Sequence, residues 1–121
     1  MKKGNFVLLD KKSIFIDEQA QIGENVIIYE NNRIDGDSVI GDNVTIFPNS
    51  FIVNSIIGKG SKIYSSFVEN SKLGQGCIVG PFSHLKRVVT ERGVIVSACS
   101  EIKNKKLFRT HHAKNLNEQK E

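Results

Sequence analysis

The chain has 121 residues, 39% hydrophobic and 25% charged, which suits one globular domain and leaves little room for a second. It contains no Trp and only seven Phe and two Tyr, so a thin core of Ile and Val fits better than a thick multilayer core. The net charge of +4 lies at the two ends, because residues 1–13 carry +3, residues 14–83 carry −4 and residues 84–121 carry +5. A basic end could meet phosphates, although most charge runs are simply solvated. The basic residues are not interleaved with aromatics, which disfavours nucleic-acid binding.

The N-terminal segment, residues 1–15, precedes the repeats and is expected to cap them. Its apolar stretch, from Phe6 to Leu9, is too short for a signal peptide, and no later stretch approaches the length of a membrane span. The sequence therefore predicts a cytoplasmic protein with no membrane partner. Cys77 and Cys99 lack metal-ligand spacing, so we expect two free thiols and no metal site.

A repeat of six residues dominates the rest of the chain. Isoleucine recurs at every sixth position, at Ile16, Ile22, Ile28, Ile34, Ile40, Ile46 and Ile52. Four positions after each stands a mostly small residue, namely Ala20, Val26, Asn32, Ser38, Val44, Ser50 or Ile56. Positions i and i+4 of a strand face the same side, so both residues of each hexad are expected to point inward. A period of six excludes the usual amphipathic helix.

Three such hexads make one coil of 18 residues, with short strands joined by turns at Gly, Asp and Asn. Coils stacked about 4.8 Å apart would place Ile over Ile. Similar segments start at Ile22, Ile40, Ile57 and Leu73, with spacings of 18, 17 and 16. The missing residues are expected at corners, where Asn54-Ser55 and Asn70-Ser71 mark the same corner in successive coils.

The hexads continue less regularly through Val79, Leu85, Val96 and Ile102. The sequence thus predicts an all-β, single-stranded parallel β-helix over residues 16–107, with about five coils. The alternative is a sandwich of short antiparallel strands, which the unbroken hexads disfavour. Residues 108–121 form a basic, polar tail without the hexad, either a short helix over the last coil or disordered.

The hexads of the form Ile-Gly-Glu/Asp-Asn-Val resemble those of the hexapeptide-repeat acyltransferases. Three stretches are similar, in order, to the C-terminal acetyltransferase half of the bifunctional N-acetylglucosamine-1-phosphate uridyltransferase/glucosamine-1-phosphate acetyltransferase family: Asn54-Ser55-Ile56-Ile57-Gly58, Val79-Gly80-Pro81-Phe82-Ser83-His84-Leu85 and Glu101-Ile102-Lys103-Asn104. The resemblance implies a left-handed solenoid, a homotrimer, and a place in UDP-N-acetylglucosamine synthesis for the cell wall. The uridyltransferase half and its Gly-rich sequence have no counterpart here, so uridylyl transfer by this chain is not predicted.

The resemblance also implies a site for the phosphate of glucosamine 1-phosphate at Lys86, Arg87 and Lys103. The family has Arg-Pro where this chain has Lys86-Arg87. Lys86 keeps the charge but not the planar, bidentate fork with which Arg binds phosphate, and Arg87 is displaced by one residue. Lys103 matches the family Lys.

The general base of the family is a His, which suits proton transfer near neutral pH. In this chain the matching position is Asn115, which cannot accept a proton at that pH. His111 and His112 lie nearby as substitutes. The remaining coils of the family and its acetyl-CoA-binding tail have no counterpart in this sequence. His84 is expected to have a structural or solvent-facing role.

Three interpretations follow. We favour a truncated relative that is catalytically impaired and acts as an oligomeric binding or assembly module, with no cofactor assigned to it. The second is an active acetyltransferase that uses acetyl-CoA with a rearranged site. The third is a detached half that cooperates with a separate uridyltransferase as its nucleotidyltransferase partner.

Overall fold

The structure is a computed structural model that describes residues 3–109. Short parallel strands follow one another around three faces of a prism, and six coils are stacked along its axis. The first coil contains β1 (Phe6–Leu8), a 3-10 helix (Lys11–Ser13), β2 (Phe15–Ile16) and β3 (Gln21–Ile22). The second contains β4 (Val26–Ile28), β5 (Arg33–Asp35) and β6 (Val39–Ile40). The third contains β7 (Thr45–Ile46), β8 (Phe51–Val53) and β9 (Ile56–Ile57).

The last three coils keep the same three faces. The fourth contains β10 (Lys62–Ile63), β11 (Phe67–Glu69) and β12 (Lys72–Leu73). The fifth contains β13 (Ile78–Val79) and β14 (His84–Thr90), and the sixth contains β15 (Ile95–Val96) and β16 (Glu101–Leu107). The strands β14 and β16 are long because each bends around a corner and contributes to two faces.

Three columns of strands define the faces. Face 1 consists of β2, β5, β8, β11 and the first halves of β14 and β16. Face 2 consists of β3, β6, β9, β12 and the second halves of β14 and β16. Face 3 consists of β1, β4, β7, β10, β13 and β15. Each strand pairs in parallel with its counterpart one coil away, which confirms the predicted parallel β-helix and fits the left-handed solenoid implied by the resemblance.

The coil number exceeds the predicted five because β1 begins a coil inside the segment that the sequence assigned to a cap. Its residues pair in register with β4, from Phe6 opposite Val26 to Leu8 opposite Ile28. Apolar side chains of the same segment pack against the first buried residues of the core. Whether residues 1–15 act as a separate cap stays a prediction.

The core is a set of inward-facing columns. From Ile22 to Ile102 the hexad positions are buried almost completely, as predicted. One assignment is wrong: Ile56 was expected to point inward, but 42% of it is exposed. The residue missing at that corner shifts the alternation by one, so Ser55 and Ile57 take the inward positions.

Buried serines form ladders along the axis. The Ser38 hydroxyl accepts a hydrogen bond from the Ser55 backbone N–H at 3.1 Å, and the Ser55 hydroxyl accepts one from the Ser71 N–H at 3.0 Å. Each hydroxyl also donates to a backbone carbonyl, as Ser55 does to that of Val53. Within residues 3–109, no buried side-chain nitrogen or oxygen lacks a partner. The ladders therefore let small polar residues occupy the core without an unpaired group.

The three corners are columns of residues with positive φ. The first corner, between faces 3 and 1, holds Asn31, Asn49, Ser65, Phe82 and Cys99. The second, between faces 1 and 2, holds Gly36, Asn54, Asn70, Arg87 and Asn104. The third, between faces 2 and 3, holds Asn25, Asn43, Gly60, Gly76 and Gly93. Asn and Gly tolerate this left-handed conformation best, which explains the turn residues of the repeat. The prediction that Asn54 and Asn70 share a corner is confirmed.

Candidate phosphate-binding site

The three predicted phosphate ligands meet at the second corner, in the last two coils. Lys86 lies on β14 directly opposite Lys103 on β16, in the parallel register that also pairs Leu85 with Ile102. Leu85 and Ile102 are buried, so alternation turns both lysines outward. Adjacent strands are about 4.8 Å apart, so two ammonium-bearing side chains leave the same patch of surface.

Arg87 occupies the corner itself. Its φ of 55° is unusual for a residue that is not Gly or Asn, and it allows β14 to turn from face 1 to face 2. The Arg87 Nε donates a hydrogen bond of 2.6 Å to the Oδ1 of Asn104, the next residue in the corner column. This bond uses one edge of the guanidinium and directs the side chain along the corner. The displaced arginine is therefore near Lys86 but is held by the chain itself.

A histidine and two glutamates border the lysines on face 1. The His84 Nε2 lies 2.7 Å from the Oε2 of Glu69, and the His84 Nδ1 lies 4.0 Å from the Oε2 of Glu101. Glu101 also lies 3.6 Å from the Lys103 Nζ. Each ring nitrogen of His84 thus faces a carboxylate, and 32% of the side chain is exposed. These contacts agree with the expected structural or solvent-facing role.

The His84 ring also ends a ladder of stacked side chains on the outside of face 1. It stacks on Phe67 at 4.7 Å between centroids, and Phe67 stacks on Phe51 at 4.9 Å. One coil before Phe51, the Arg33 guanidinium lies 4.4 Å from the centroid of the Phe15 ring. This ladder was not predicted from the sequence, although its members are spaced by one coil and that spacing is visible in the repeat.

The two cysteines have different surroundings. Cys77 is buried, with its Sγ 3.2 Å from the Oγ1 of Thr90, whereas Cys99 is exposed at the first corner. Over residues 3–109 no three His, Cys, Asp or Glu side chains are arranged to hold a metal ion. In the same part of the chain, no helix has the length and apolar character needed to cross a membrane.

Comparison with known proteins shows that the chain is similar to several proteins named bifunctional protein GlmU. The chain is similar to the bifunctional protein GlmU of Caldicellulosiruptor saccharolyticus, with 44% identity over 101 residues, 83% of this chain and 22% of the relative. GlmU of Synechococcus elongatus is 42% identical over 79 residues, 65% of this chain and 18% of the relative. GlmU of Shouchella clausii is 33% identical over 86 residues, 71% of this chain and 19% of the relative. The chain is homologous to part of GlmU. No family model matches it.

The homology and the β-solenoid together confirm the resemblance to a C-terminal portion of GlmU. This chain spans about a fifth of the length of the curated GlmU relatives it matches. Lys86, Arg87 and Lys103 are brought together at one corner, and their role as phosphate ligands stays a prediction. Asn115, at the expected position of the base, and its substitutes His111 and His112 lie outside the described residues.

Proposed function

We propose that this chain is a GlmU-like acetyltransferase β-helix whose catalysis is impaired and which acts as an oligomeric binding or assembly module related to UDP-N-acetylglucosamine synthesis. The observation that carries the proposal is the arrangement at the second corner. Lys86 and Lys103 supply positive charge, while the one guanidinium nearby, that of Arg87, is bonded to Asn104. The corner can attract a phosphate, but the bond to Asn104 occupies the Nε of Arg87 and leaves only the terminal N–H groups of its guanidinium to orient that phosphate.

The second support for impaired catalysis is that the family's base for proton transfer is missing. An acetyl group passes to an amine only after the ammonium has lost a proton, and Asn115 at the position of the base cannot take it. His84 is not the counterpart of this base, which the family resemblance places at Asn115. Attraction of the sugar phosphate without deprotonation of the amine corresponds to binding without turnover.

The outer surface supports assembly. On face 3 the outward side chains of Val7, Ile27 and Ile95 are 52%, 37% and 39% exposed. On face 2 those of Ile56 and Val89 are 42% and 43% exposed. Lys72 separates Ile56 from Val89, and Thr45 and Lys62 interrupt the column on face 3, so the exposed aliphatic side chains form small patches. We expect another subunit to cover these patches, and the family resemblance implies that the assembly is a homotrimer.

The test measures catalytic turnover, the binding of each substrate and the oligomeric mass of the chain. Acetyl-CoA and glucosamine 1-phosphate are incubated with the purified chain, and release of the free CoA thiol is followed alongside calorimetric titration of each compound. We expect no thiol release above the protein-free rate, and a trimer by sedimentation equilibrium. Any binding of glucosamine 1-phosphate should weaken about tenfold in Lys103→Gln, which loses a charge-assisted contact, and should stay unchanged in Lys62→Gln, whose lysine lies on face 3.

Two outcomes would overturn the proposal. Thiol release that scales with the chain, disappears in Lys103→Gln and persists in Lys62→Gln would establish the alternative of an active acetyltransferase that uses acetyl-CoA. The paired lysines Lys86 and Lys103 are the observation that favours this alternative. A monomer in sedimentation would remove the assembly role. A third possibility, a detached half working with a separate uridyltransferase, predicts that a nucleotidyltransferase co-purifies with the chain.

A further inference from the structure

A second charged surface lies at the third corner, away from the lysines of the second corner. One residue per coil precedes this corner, and together they form a column along the axis: Glu24, Asp42, Lys59, Gln75, Arg92 and Arg109. Backbone bonds join successive coils beside it, for example from the Gly76 N–H to the Lys59 carbonyl at 2.8 Å. The column is acidic in its first two described coils and basic toward its end.

The basic part of the column borders a shallow groove of about 510 Å³. Lys59, Arg92 and Arg109 line it, and none of the described lining residues is acidic. At one coil per 4.8 Å, these cations span about 14 Å along the axis. Among the ion pairs of residues 3–109, none involves these three side chains. The groove thus gathers three cations that form no ion pair with a described residue, although the Glu91 carboxylate lies close to Arg109 and Asp42 precedes Lys59 in the column.

Glycines shape the floor of the groove. A Cβ added to Gly60 or Gly76 would meet no atom within 4 Å, so the absence of side chains there leaves open space beside the cations. A Cβ on Gly93 would lie 3.2 Å from the Arg109 Nε, so the guanidinium of Arg109 lies close over this glycine. The Arg109 backbone N–H donates to the Glu91 Oε1 at 3.0 Å. Arg109 therefore lines the groove with an exposed side chain.

We propose that this groove binds an elongated anion with several phosphate groups, such as an oligophosphate or the phosphate chain of a nucleotide. Arg offers planar pairs of N–H donors to phosphate oxygens, and Lys59 adds a third charge farther along the axis. A single phosphate can reach only part of this row, whereas a chain of phosphates can contact all of it. This site is independent of the function proposed for the second corner.

The main rival occupant is a second copy of this chain, because the acidic start of the column is complementary in charge to its basic end. The acidic side chains of the column, however, already accept hydrogen bonds within the chain. The Asp42 Oδ1 accepts a hydrogen bond of 2.8 Å from the Glu24 N–H, and the Glu24 Oε1 accepts one of 3.1 Å from the Asn5 N–H. These carboxylates are engaged within the chain, whereas the cations are not, and this difference favours a small anion.

The experiment titrates the purified chain with inorganic tripolyphosphate, orthophosphate and ATP at low ionic strength. We expect saturable binding of tripolyphosphate at least about tenfold tighter than that of orthophosphate, and a loss of affinity as salt is added. The double variant Arg92→Gln/Arg109→Gln should lose at least about tenfold in affinity for tripolyphosphate. The control Lys72→Gln, on face 2, should keep it. ATP binding tighter than tripolyphosphate would identify a nucleotide as the ligand, and equal binding would identify the phosphate chain alone.

A steric variant tests the groove without removing charge. Gly76→Asn keeps a residue that accepts positive φ, as Asn43 does at the same corner, but places a side chain in the groove. It should fold with an unchanged melting temperature and bind tripolyphosphate more weakly. Equal affinity in the double arginine variant, or no saturable binding by the original chain, would overturn the proposal. So would a salt-sensitive dimer that the double variant abolishes while tripolyphosphate binding is unaffected.

Discussion

The inside and the outside of this β-helix follow different rules. On face 3 the inward column remains aliphatic from one end to the other, with Ile28, Ile46, Ile63, Val79 and Val96. The outward column before the third corner changes from acids to bases over the same coils. An inward residue contacts the same position in the coils above and below, so every coil is restricted to similar shapes. An outward residue also faces solvent, so its chemistry can vary and provide binding sites.

The largest effect is expected from a comparison of an inward and an outward residue on the same strand. Ile57 is 1% exposed and Ile56 is 42% exposed, although both lie on β9. Ile57→Asp would bury an unpaired carboxylate and should cost about 4 kcal/mol or more of unfolding free energy. Ile56→Asp should change it by less than about 1 kcal/mol. Urea unfolding followed by circular dichroism measures both. Equal losses in the two variants would contradict the inward and outward assignment.

A smaller effect is expected from the glycines that stack between coils. A Cβ on Gly58 would lie 2.4 Å from the backbone carbonyl carbon and oxygen of Gly74, which cannot move without separating two coils. Gly58→Ala should therefore lower the unfolding free energy by about 1–3 kcal/mol. Gly60→Asn is the matched control, because that position has open space and a positive φ that Asn accepts. A melting temperature for Gly58→Ala equal to that of the control would show that the coils are not this close.

The smallest effect concerns a carboxylate on the outside of the first coil. The backbone N–H of Gln19, and then that of Gly36, donate to Asp17 and hold the pKa of its carboxyl below its usual value of 3.8. A group whose pKa is lower in the folded state stabilises the fold above its unfolded pKa, and this contribution is lost as the pH falls through the folded pKa.

The variant Asp17→Asn should therefore be less stable than the original chain at neutral pH, and the difference should shrink as the pH falls below 3.8. Thermal unfolding measured between neutral and acidic pH checks this. Glu18→Gln is the control, because no hydrogen bond of the described residues reaches its carboxylate. A difference between Asp17→Asn and the original chain that stays constant with pH would show that these two backbone bonds do not depend on the charge.

Much of the fold could be predicted because the six-residue repeat indicates which residues point inward. Ile22 and Ile40 were assigned inward from spacing alone, and both are buried. The wrong assignment of Ile56 arose at a corner where the coil is one residue shorter. The alternation of inward and outward residues before such a deletion does not determine the alternation after it. The length of β14 was also not predicted, because the hexad pattern indicates which residues point inward and not whether a strand continues through a corner.

Only part of the candidate phosphate-binding site could be predicted from the sequence. Lys86, Arg87 and Lys103 were named through the family resemblance, but the bond from Arg87 to Asn104 depends on which side chains meet at the corner. Likewise, nothing in the local sequence pairs His84 with Glu69, which stand 15 residues apart and meet because one coil separates them. The row of cations at the third corner also went unnoticed, since its members are separated by whole coils.

The sequence by itself determined the architecture, because a period of six with inward aliphatic residues and turn residues between them can be satisfied by stacked coils. Only the tertiary structure decided which outward residues become neighbours. That choice depends on how many residues each coil contains, and a loss of one or two residues at a corner changes which side chains share a column. The Lys86–Lys103 pair and the groove of Lys59, Arg92 and Arg109 both result from those coil lengths.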